Sequence, residues 1–237
     1  MKSNAFAKDL SVAPDPERNH PKNLRWKIAQ RFELLWWKRY LRGRSEEEYL
    51  EWKKKYWQDF LLPFQERLSI SKDHKILDAG CGPAGIFIEL SDKAQVEALD
   101  PLLNHYQQSL PHFNYAKYPN VNFHNLALED FNPGHPFDII FCINALNHVS
   151  DINKSLIQLN KFLKKGGILV FTSDAHNHQW IKRVFRTFQG DILHPHQYDR
   201  KEYTELLSQQ GFEVKDTKLI KKERIFSYYL MLAEKVN

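Results

Sequence analysis

The clearest chemical signal in the sequence is the segment KILDAGCGPAGIFIEL, residues 75–90. A short apolar run leads into Gly80, Gly82 and Gly85, and residues with helical patterning follow. Glycines between a strand and a helix allow a tight turn, and they bring backbone N–H groups close to a ligand. The segment therefore predicts a binding site for a nucleotide-like ligand at the end of the first strand.

Two carboxylates flank this turn. Asp78 stands two residues before Gly80, and Asp100 lies 20 residues after it, at the end of the next apolar run. An acid in the second position accepts hydrogen bonds from ribose hydroxyls, which both NAD and S-adenosylmethionine carry. A carboxylate at Asp78 repels a pyrophosphate but suits the ammonium of a methionyl group. These residues favour the sulfonium cofactor, while the G-x-G-x-x-G spacing keeps a dinucleotide as the alternative.

The rest of the chain must supply the elements that position this turn. After residue 74, β-rich runs alternate with helical stretches, which indicates β-α-β units and a mostly parallel sheet covered on both faces. Only three residues separate the last two runs, so these should form an antiparallel hairpin. Strands are expected at 75–79, 95–99, 121–125, 138–143, 168–173, 212–220 and 224–233, and helices at 84–91, 102–109, 151–164 and 199–210.

The first third of the chain has a different composition. Residues 1–23 are polar and contain three prolines, which predicts a flexible arm. Residues 24–74 are expected to form a helical cap, or lid, and residues 75–237 the main domain, with 174–198 as an insertion on the substrate side. The second cap helix should begin at Ser45 in an S-x-x-E capping box. Its expected inward face is Tyr49, Trp52, Tyr56, Trp57 and Phe60.

The first cap helix, near 24–41, raises the question of a partner. One apolar stripe follows positions 24, 28, 32, 35, 36 and 40, and a second is formed by Trp26, Leu34, Trp37 and Leu41. Basic residues dominate 24–44, so this segment could cover a pocket, bind an acidic substrate, lie on an anionic membrane or grip nucleic acid. Because the net charge of +5 is modest, nucleic acid is the less expected partner. We favour a small-molecule acceptor, acidic or aromatic, and membrane contact through 24–44 stays open.

Composition also bounds the cellular setting. No apolar stretch approaches the roughly 18 to 20 residues that span a bilayer, and residues 1–23 lack the apolar core of a signal peptide. The two cysteines, Cys81 and Cys142, do not have the spacing of a disulfide or metal framework. We expect a cytoplasmic protein without structural disulfides.

Several motifs resemble one family when taken in order. DAGCGPAG resembles motif I of the class I S-adenosylmethionine-dependent methyltransferases, and VEALDPL resembles their acidic second motif. PFDIIFCINALNHVSD and LKKGGILVFTS resemble the fourth-strand segment and the turn and fifth strand that follow. The resemblance covers about residues 75–173. It implies an α/β, Rossmann-like, seven-stranded and mostly parallel sheet with an antiparallel C-terminal hairpin strand, carrying here an N-terminal helical cap.

The resemblance also implies an activity and a set of binding residues. The activity is methyl transfer from S-adenosylmethionine to oxygen or nitrogen of a small acceptor, which leaves S-adenosylhomocysteine. Asp78 would face the cofactor's amino group, and Asp100 its ribose hydroxyls. The other implied cofactor contacts are Gly80, Cys81, Gly82, Pro101, Leu102, Ala127, Leu128, Cys142, Ile143 and Asn144. An RNA or protein methyltransferase, or a non-catalytic member that only binds cofactor or partner, is the alternative.

Methyl transfer is an in-line displacement, so a protein base is needed only when the acceptor arrives protonated. Histidine is suited to that role near neutral pH. The candidates are His148, after the fourth strand, and His176 and His196 in the 174–198 connection. Two H-x-H pairs in that connection lack a matched carboxylate or cysteine spacing, so we expect no metal site.

Overall fold

A seven-stranded sheet forms the centre of the computed structural model, which describes residues 24–176, 198–222 and 226–236. Its strands are β1 (Lys75–Ala79), β2 (Gln95–Leu99), β3 (Val121–His124), β4 (Phe137–Ile143), β5 (Leu163–His176), β6 (Phe212–Lys222) and β7 (Phe226–Lys235). Their spatial order is β3-β2-β1-β4-β5-β7-β6. The first five strands are mutually parallel, and β7 runs antiparallel to both β5 and β6. The expected sheet class and its C-terminal hairpin are confirmed.

Helices cover both faces of the sheet. They are α1 (Leu24–Leu41), α2 (Glu46–Leu61), α3 (Phe87–Leu90), α4 (Leu103–Ser109), α5 (Ile152–Phe162) and α6 (Arg200–Gln209). Residues from α2, α3 and α4 share one apolar core with one face of the strands, while α5 and α6 share a second core with the other face. Within the described ranges, no helix is long and apolar enough to cross a membrane.

Polar side chains cap the starts of α2 and α6, and of these two the reciprocal capping box is described only at α6. Ser45 Oγ accepts a hydrogen bond from the Glu48 backbone N–H at 3.5 Å. Asp199 and Glu202 form a reciprocal capping box at the start of α6, with N–H to carboxylate distances of 2.8 and 3.0 Å. These contacts fix where α2 and α6 begin.

The helix after the glycine-rich turn is shorter than expected. The sequence predicted helix over 84–91, but a 3₁₀ turn at Gly82–Ala84 is followed by extended backbone at Gly85, and α3 spans only Phe87–Leu90. A Cβ on Gly85 would lie 2.3 Å from Asp78 Oδ2, so the chain passes directly against this carboxylate. The Phe87 backbone N–H donates to the same oxygen at 3.1 Å. Asp78 therefore ties the helix start to the end of β1.

The cap helices bury most of the apolar residues that the sequence predicted to face inward, including Tyr49, Trp57 and Phe60 of α2. In α1 the second apolar stripe turns inward: Leu41 is buried, and Leu34 and Trp37 pack against the core. The first stripe is largely exposed, including Leu24, Ile28, Phe32, Leu35 and Trp36. In α2 the expectation that Trp52 faces inward was wrong, because its side chain is half exposed and lies against Tyr49 and Tyr56 along the helix.

Candidate active site

The glycine-rich turn is held against the end of β2. The backbone N–H groups of Gly80 and Cys81 both donate to the Leu99 carbonyl oxygen, at 2.7 and 3.1 Å. Gly80 has φ +74° and Gly82 φ +58°, values that favour glycine. A Cβ on Gly80 would also lie 2.3 Å from the Ala145 Cβ. Position 80 therefore requires glycine for two reasons: its positive φ and its close contact with the segment after β4.

Asp100 organises the next loop through two backbone hydrogen bonds. Its Oδ2 accepts from the Gly82 N–H at 3.0 Å and its Oδ1 from the Leu102 N–H at 2.8 Å. The side chain is 6% exposed, and this burial raises its pKa to about 6. Each carboxylate oxygen can accept a further hydrogen bond. The geometry thus fits a ligand with two adjacent hydroxyls, as in ribose.

A narrow cavity, here called the edge cavity, opens where the parallel strands end. Asp100, Pro101, Ala127 and Leu128 line it from the sheet side, and Gln30 and Glu33 of α1 line it from above. The side-chain oxygen of Gln30 is buried and has no hydrogen-bond partner among the residues that the structure describes. A buried acceptor of this kind is costly unless a donor reaches it. The cavity therefore presents an acceptor that an amino or hydroxyl group of a nucleoside would satisfy.

The edge cavity has a volume of about 70 Å³ because α1 lies across it. Pockets for drug-sized ligands usually measure roughly 300 to 1,000 Å³. The polar groups of the edge cavity fit a nucleoside, but its size does not admit one. A nucleoside would fit only if α1 lay further from the sheet edge than it does in this structure.

A second cavity, here called the cap cavity, lies between the glycine-rich turn and the two cap helices. Its volume is about 460 Å³. The two cavities are adjacent, because four residues line both: Glu33, Gly80, Asn144 and His148. The cap cavity is additionally lined by Lys53, Asp78, Cys81, Gly82, Ile143, Tyr228 and the aromatic residues Trp36, Trp37, Tyr56 and Trp57.

Buried acids dominate the electrostatics where the two cavities meet. Burial, with the Asp100 charge adding to it, raises the pKa of Glu33 to about 8, and the Tyr106 hydroxyl donates to Glu33 Oε1 at 3.4 Å. Burial likewise raises the pKa of Asp78 to about 7. Charged carboxylates are costly here because the site offers little solvation. A bound cation, such as a sulfonium or an ammonium, would offset that cost.

Most of the residues that the sequence proposed for the cofactor lie along these two cavities. They are Asp78, Gly80, Cys81, Gly82, Asp100, Pro101, Ala127, Leu128, Ile143 and Asn144. Leu102 and Cys142 line neither cavity. Leu102 contributes its backbone N–H to Asp100, and its side chain is buried. Cys142 faces the α5 side of the sheet, because successive side chains of β4 point to opposite faces.

The structure describes the three candidate histidines to different extents. His148 is half-buried in the turn after β4 and lines both cavities. His176 is the last residue of β5, and its side chain lies outside the described part of the structure. His196 lies wholly outside the described residues. Within 24–176, 198–222 and 226–236, no group of three His, Cys, Asp or Glu residues could hold a metal ion.

Sequence reasoning did not reveal the hydrogen bonds of Glu129. This buried carboxylate accepts hydrogen bonds from the Ser150 N–H at 2.8 Å, the Ser150 hydroxyl at 2.7 Å and the Asp151 N–H at 3.2 Å. It thereby joins the loop after β3 to the start of α5 at one wall of the edge cavity. Its partners are about 20 residues away along the chain, so no local motif reveals them.

Sequence reasoning also missed Lys53, a half-buried residue of α2 that lines the cap cavity. Its Nζ lies 4.7 Å from the ring centroid of Tyr56 and 4.9 Å from that of Trp57. Trp57 is in turn fixed to the glycine-rich turn, since its Nε1–H donates to the Ala84 carbonyl at 3.1 Å. Lys53 stands in a run of three lysines, and only the packing of α2 distinguishes it from Lys54 and Lys55.

A comparison with protein families decides between the ligand classes left open by the sequence. Residues 49–217 match the model of a family described as a methyltransferase domain. The chain belongs to this methyltransferase family. The resemblance to the class I S-adenosylmethionine-dependent methyltransferases is thereby confirmed, and S-adenosylmethionine is the cofactor of that class.

Named relatives of this methyltransferase act on different kinds of acceptor atom. It is 24% identical over 162 residues to a ubiquinone biosynthesis O-methyltransferase of Rickettsia akari, a match that covers 61% of each chain. It is 28% identical over 162 residues to a sterol 24-C-methyltransferase of Candida albicans, covering 62% of this chain and 42% of that one. Thus the chain matches less than two thirds of the length of these relatives.

Solved structures support the fold. An S-adenosylmethionine-dependent methyltransferase from Clostridium acetobutylicum superposes with a TM-score of 0.59 at 15% identity, over 78% of this chain and 92% of that one. At such low identity the likeness concerns the fold alone.

Proposed function

We propose that this methyltransferase transfers the methyl group of S-adenosylmethionine to an oxygen or nitrogen atom of a small acceptor held in the cap cavity. The observation that supports this most strongly is that the edge and cap cavities lie side by side, with Gly80, Asn144 and His148 lining both. The bound cofactor supplies an electrophilic methyl group, and its in-line displacement leaves the electron pair on sulfur and S-adenosylhomocysteine as product.

In this proposal the chain's contribution is to bind, orient and exclude water. Asp100 accepts hydrogen bonds from the ribose hydroxyls while Gly82 and Leu102 hold its carboxylate in place. Pro101, Ala127 and Leu128 flank the adenine. Gln30 and Glu33 close over the nucleoside from α1, so the acceptor meets the methyl group in a site shielded from water.

The lining of the cap cavity favours an aromatic acceptor over an acidic one. Trp36, Trp37, Tyr56, Trp57 and Tyr228 present ring faces and edges, which pack well against another planar group. The one lysine or arginine among the described lining residues is Lys53, and we assign it another partner below. A cavity of about 460 Å³ also suits a small molecule better than a folded RNA or protein.

We assign the proton-accepting role to His148 when the acceptor arrives as a hydroxyl or ammonium. Its half-buried position where the two cavities meet supports this choice. The side chains of His176 and His196 lie outside the described part of the structure, so no contact supports either of them. His148→Ala should lower turnover far more than cofactor affinity, and it should remove the neutral-pH limb of the rate profile. An unchanged pH profile would remove His148 from this role.

An acceptor screen tests the proposed function. The protein is incubated with S-adenosylmethionine labelled in the methyl group and with fractionated cell extract, and labelled products are identified by mass. The expected result is a labelled small aromatic compound and stoichiometric S-adenosylhomocysteine. Label in RNA or protein would favour the macromolecular alternative. Cofactor binding without release of S-adenosylhomocysteine in any fraction would indicate a binding module instead of an enzyme.

A further inference from the structure

An acid and a base line the cap cavity where it meets the glycine-rich turn. Asp78 reaches it from the end of β1, and Lys53 reaches it from α2. No carboxylate of the described residues lies within ion-pair distance of Lys53 Nζ, which contacts the rings of Trp52, Tyr56 and Trp57 instead. A lysine packed among rings is only partly solvated. An anion close to its Nζ would therefore stabilise its charged form.

The position of Lys53 is set by rigid contacts. Trp57, one turn further along α2, donates to the Ala84 carbonyl at 3.1 Å, and Gln58 Nε2 donates to Glu89 Oε2 at 3.0 Å. Both partners belong to the segment that follows Gly82. Helix α2, which carries Lys53, is therefore held against the glycine-rich turn. Asp78 holds the same segment by accepting a hydrogen bond from the Phe87 backbone N–H.

The cofactor's methionyl group is a zwitterion, with an ammonium and a carboxylate on one carbon atom. A site that recognises it needs an anion and a cation on opposite sides of that carbon. We propose that Lys53 binds the carboxylate of the methionyl group while Asp78 binds its ammonium. This inference rests on the proposed cofactor, and it gives the cap a direct part in cofactor binding.

Charge on the free site agrees with this geometry. Burial lowers the pKa of Lys53 to about 8, although the negative charge of Asp78 acts in the opposite direction. Burial raises the pKa of Asp78 to about 7. Burial thus disfavours the charged form of both side chains when the site holds no ligand. A zwitterion between them stabilises both charged forms at once.

A pair of ligands tests the assignment without requiring turnover. S-adenosylhomocysteine carries the amino-acid group, whereas 5′-methylthioadenosine has the same nucleoside and thioether without it. Calorimetric titrations of the full chain should show that Lys53→Met weakens S-adenosylhomocysteine binding about 10- to 100-fold and leaves 5′-methylthioadenosine binding unchanged. Lys53→Arg should restore most of the affinity, and Lys54→Met, on the exposed side of α2, should have no effect.

Three results would contradict the inference in different ways. Equal weakening of both ligands by Lys53→Met would mean that the lysine supports the cap as a whole. Unchanged S-adenosylhomocysteine affinity with reduced turnover would assign Lys53 to the acceptor. Failure of the unmodified protein to bind S-adenosylhomocysteine would overturn the proposed cofactor itself, which the first two results would not.

A separate observation concerns the outer face of α1. Four apolar side chains there are between 38% and 72% exposed, in a continuous stripe: Leu24, Ile28, Phe32 and Leu35. Exposed cations lie within and beside the stripe: Lys27, Arg31, Lys38, Arg39 and Arg42. The one acid of α1, Glu33, lies at the two cavities on the inner side. Exposed apolar side chains interspersed with cations can bind a membrane interface, where acyl chains and lipid phosphates are both within reach.

We infer that this face docks on an anionic lipid bilayer. Apolar side chains enter the acyl boundary while the cations contact lipid phosphates. A second copy of the chain is a poorer occupant, because the cations of two such faces would repel each other. Nucleic acid would leave the apolar stripe in water. Because α1 also roofs both cavities, docking would bring the site to the membrane surface.

Vesicle sedimentation tests this docking. The full chain should sediment with vesicles of equimolar phosphatidylcholine and phosphatidylglycerol, but not with phosphatidylcholine alone. Phe32→Glu with Leu35→Glu should weaken binding by more than about tenfold. Ile157→Glu, at a similarly exposed apolar position on α5, should not. Equal binding of both variants, no binding to anionic vesicles, or formation of a dimer through this face would contradict the inference.

Discussion

The glycine-rich turn and the helical cap meet in one site, but they are built in different ways. At the turn, backbone atoms form the site: Gly80 and Gly82 adopt positive φ, and Asp100 binds two backbone N–H groups. In the cap, side chains such as Lys53 and Trp57 form it, from helices placed by long-range packing. This difference means that the side of the site at the glycine-rich turn depends on local backbone geometry. The side at the helical cap depends on tertiary contacts.

The largest effect that this comparison predicts is at Gly80. Gly80→Ala should lower the free energy of unfolding by about 3 kcal/mol, because a Cβ there meets both positive φ and the Ala145 Cβ. Gly43→Ala is a matched control, since Gly43 has the same φ of +74° with nothing within 4 Å of a Cβ. We expect it to cost about 1 kcal/mol in denaturant unfolding. Equal losses would mean that the close contact at Gly80 is unimportant.

The next effect concerns ligand binding at Asp100. Asp100→Asn keeps the shape of the side chain but cannot accept on both oxygens. It should weaken S-adenosylhomocysteine binding by about 1 to 3 kcal/mol. Asp73→Asn, at an exposed position outside both cavities, is the control. Calorimetric affinities that agree for Asp100→Asn and the unmodified chain would remove Asp100 from the ribose subsite.

A smaller effect is expected where the cap is fixed to the turn. Trp57→Phe removes the hydrogen bond to the buried Ala84 carbonyl and should lower stability by about 1 kcal/mol. Trp52→Phe, in the same helix but half exposed, should cost less. Urea unfolding of the two variants measures this difference. A larger loss for Trp52→Phe would mean that α2 is held mainly by its outer aromatic residues.

The last prediction is a pH dependence of stability from Glu33, which lies half-buried at the two cavities. Its pKa rises from 4.5 unfolded to about 8 folded, so the folded chain keeps a proton that the unfolded chain releases. Stability should therefore fall as pH rises from about 4.5 to 8. Glu33→Gln should make that fall shallower, whereas exposed Glu66→Gln should not. Parallel stability profiles for all three proteins would show that Glu33 is not held in a protonation-sensitive position.

The sequence predicted the turn better than the cap for physical reasons. Strands β1 and β2 have the expected bounds, because a short apolar run ending at glycines leaves few alternatives. Helix α3 is shorter than expected, since the sequence could not reveal that the chain at Gly85 passes against Asp78. Cys142 was assigned to the site by order along the chain, and strand alternation placed it on the other face.

The cap could not be predicted in the same way. Both apolar stripes of α1 have helical spacing, so periodicity alone does not tell which one is buried. Lys53 lies beside two other lysines, and its surroundings arise from the contacts of Trp57 and Gln58 with a segment about 30 residues away. Glu129 was missed because its partners begin at Ser150. In each case the decisive contact is distant in sequence.

The central claim is that the glycine-rich turn, flanked by Asp78 and Asp100, binds an adenosyl-sulfonium cofactor. The most direct measurement is a pair of calorimetric titrations of the unmodified protein, one with S-adenosylhomocysteine and one with NAD. The account predicts saturable binding of one S-adenosylhomocysteine per chain and no heat from NAD. Saturable binding of NAD, with none of S-adenosylhomocysteine, would contradict it.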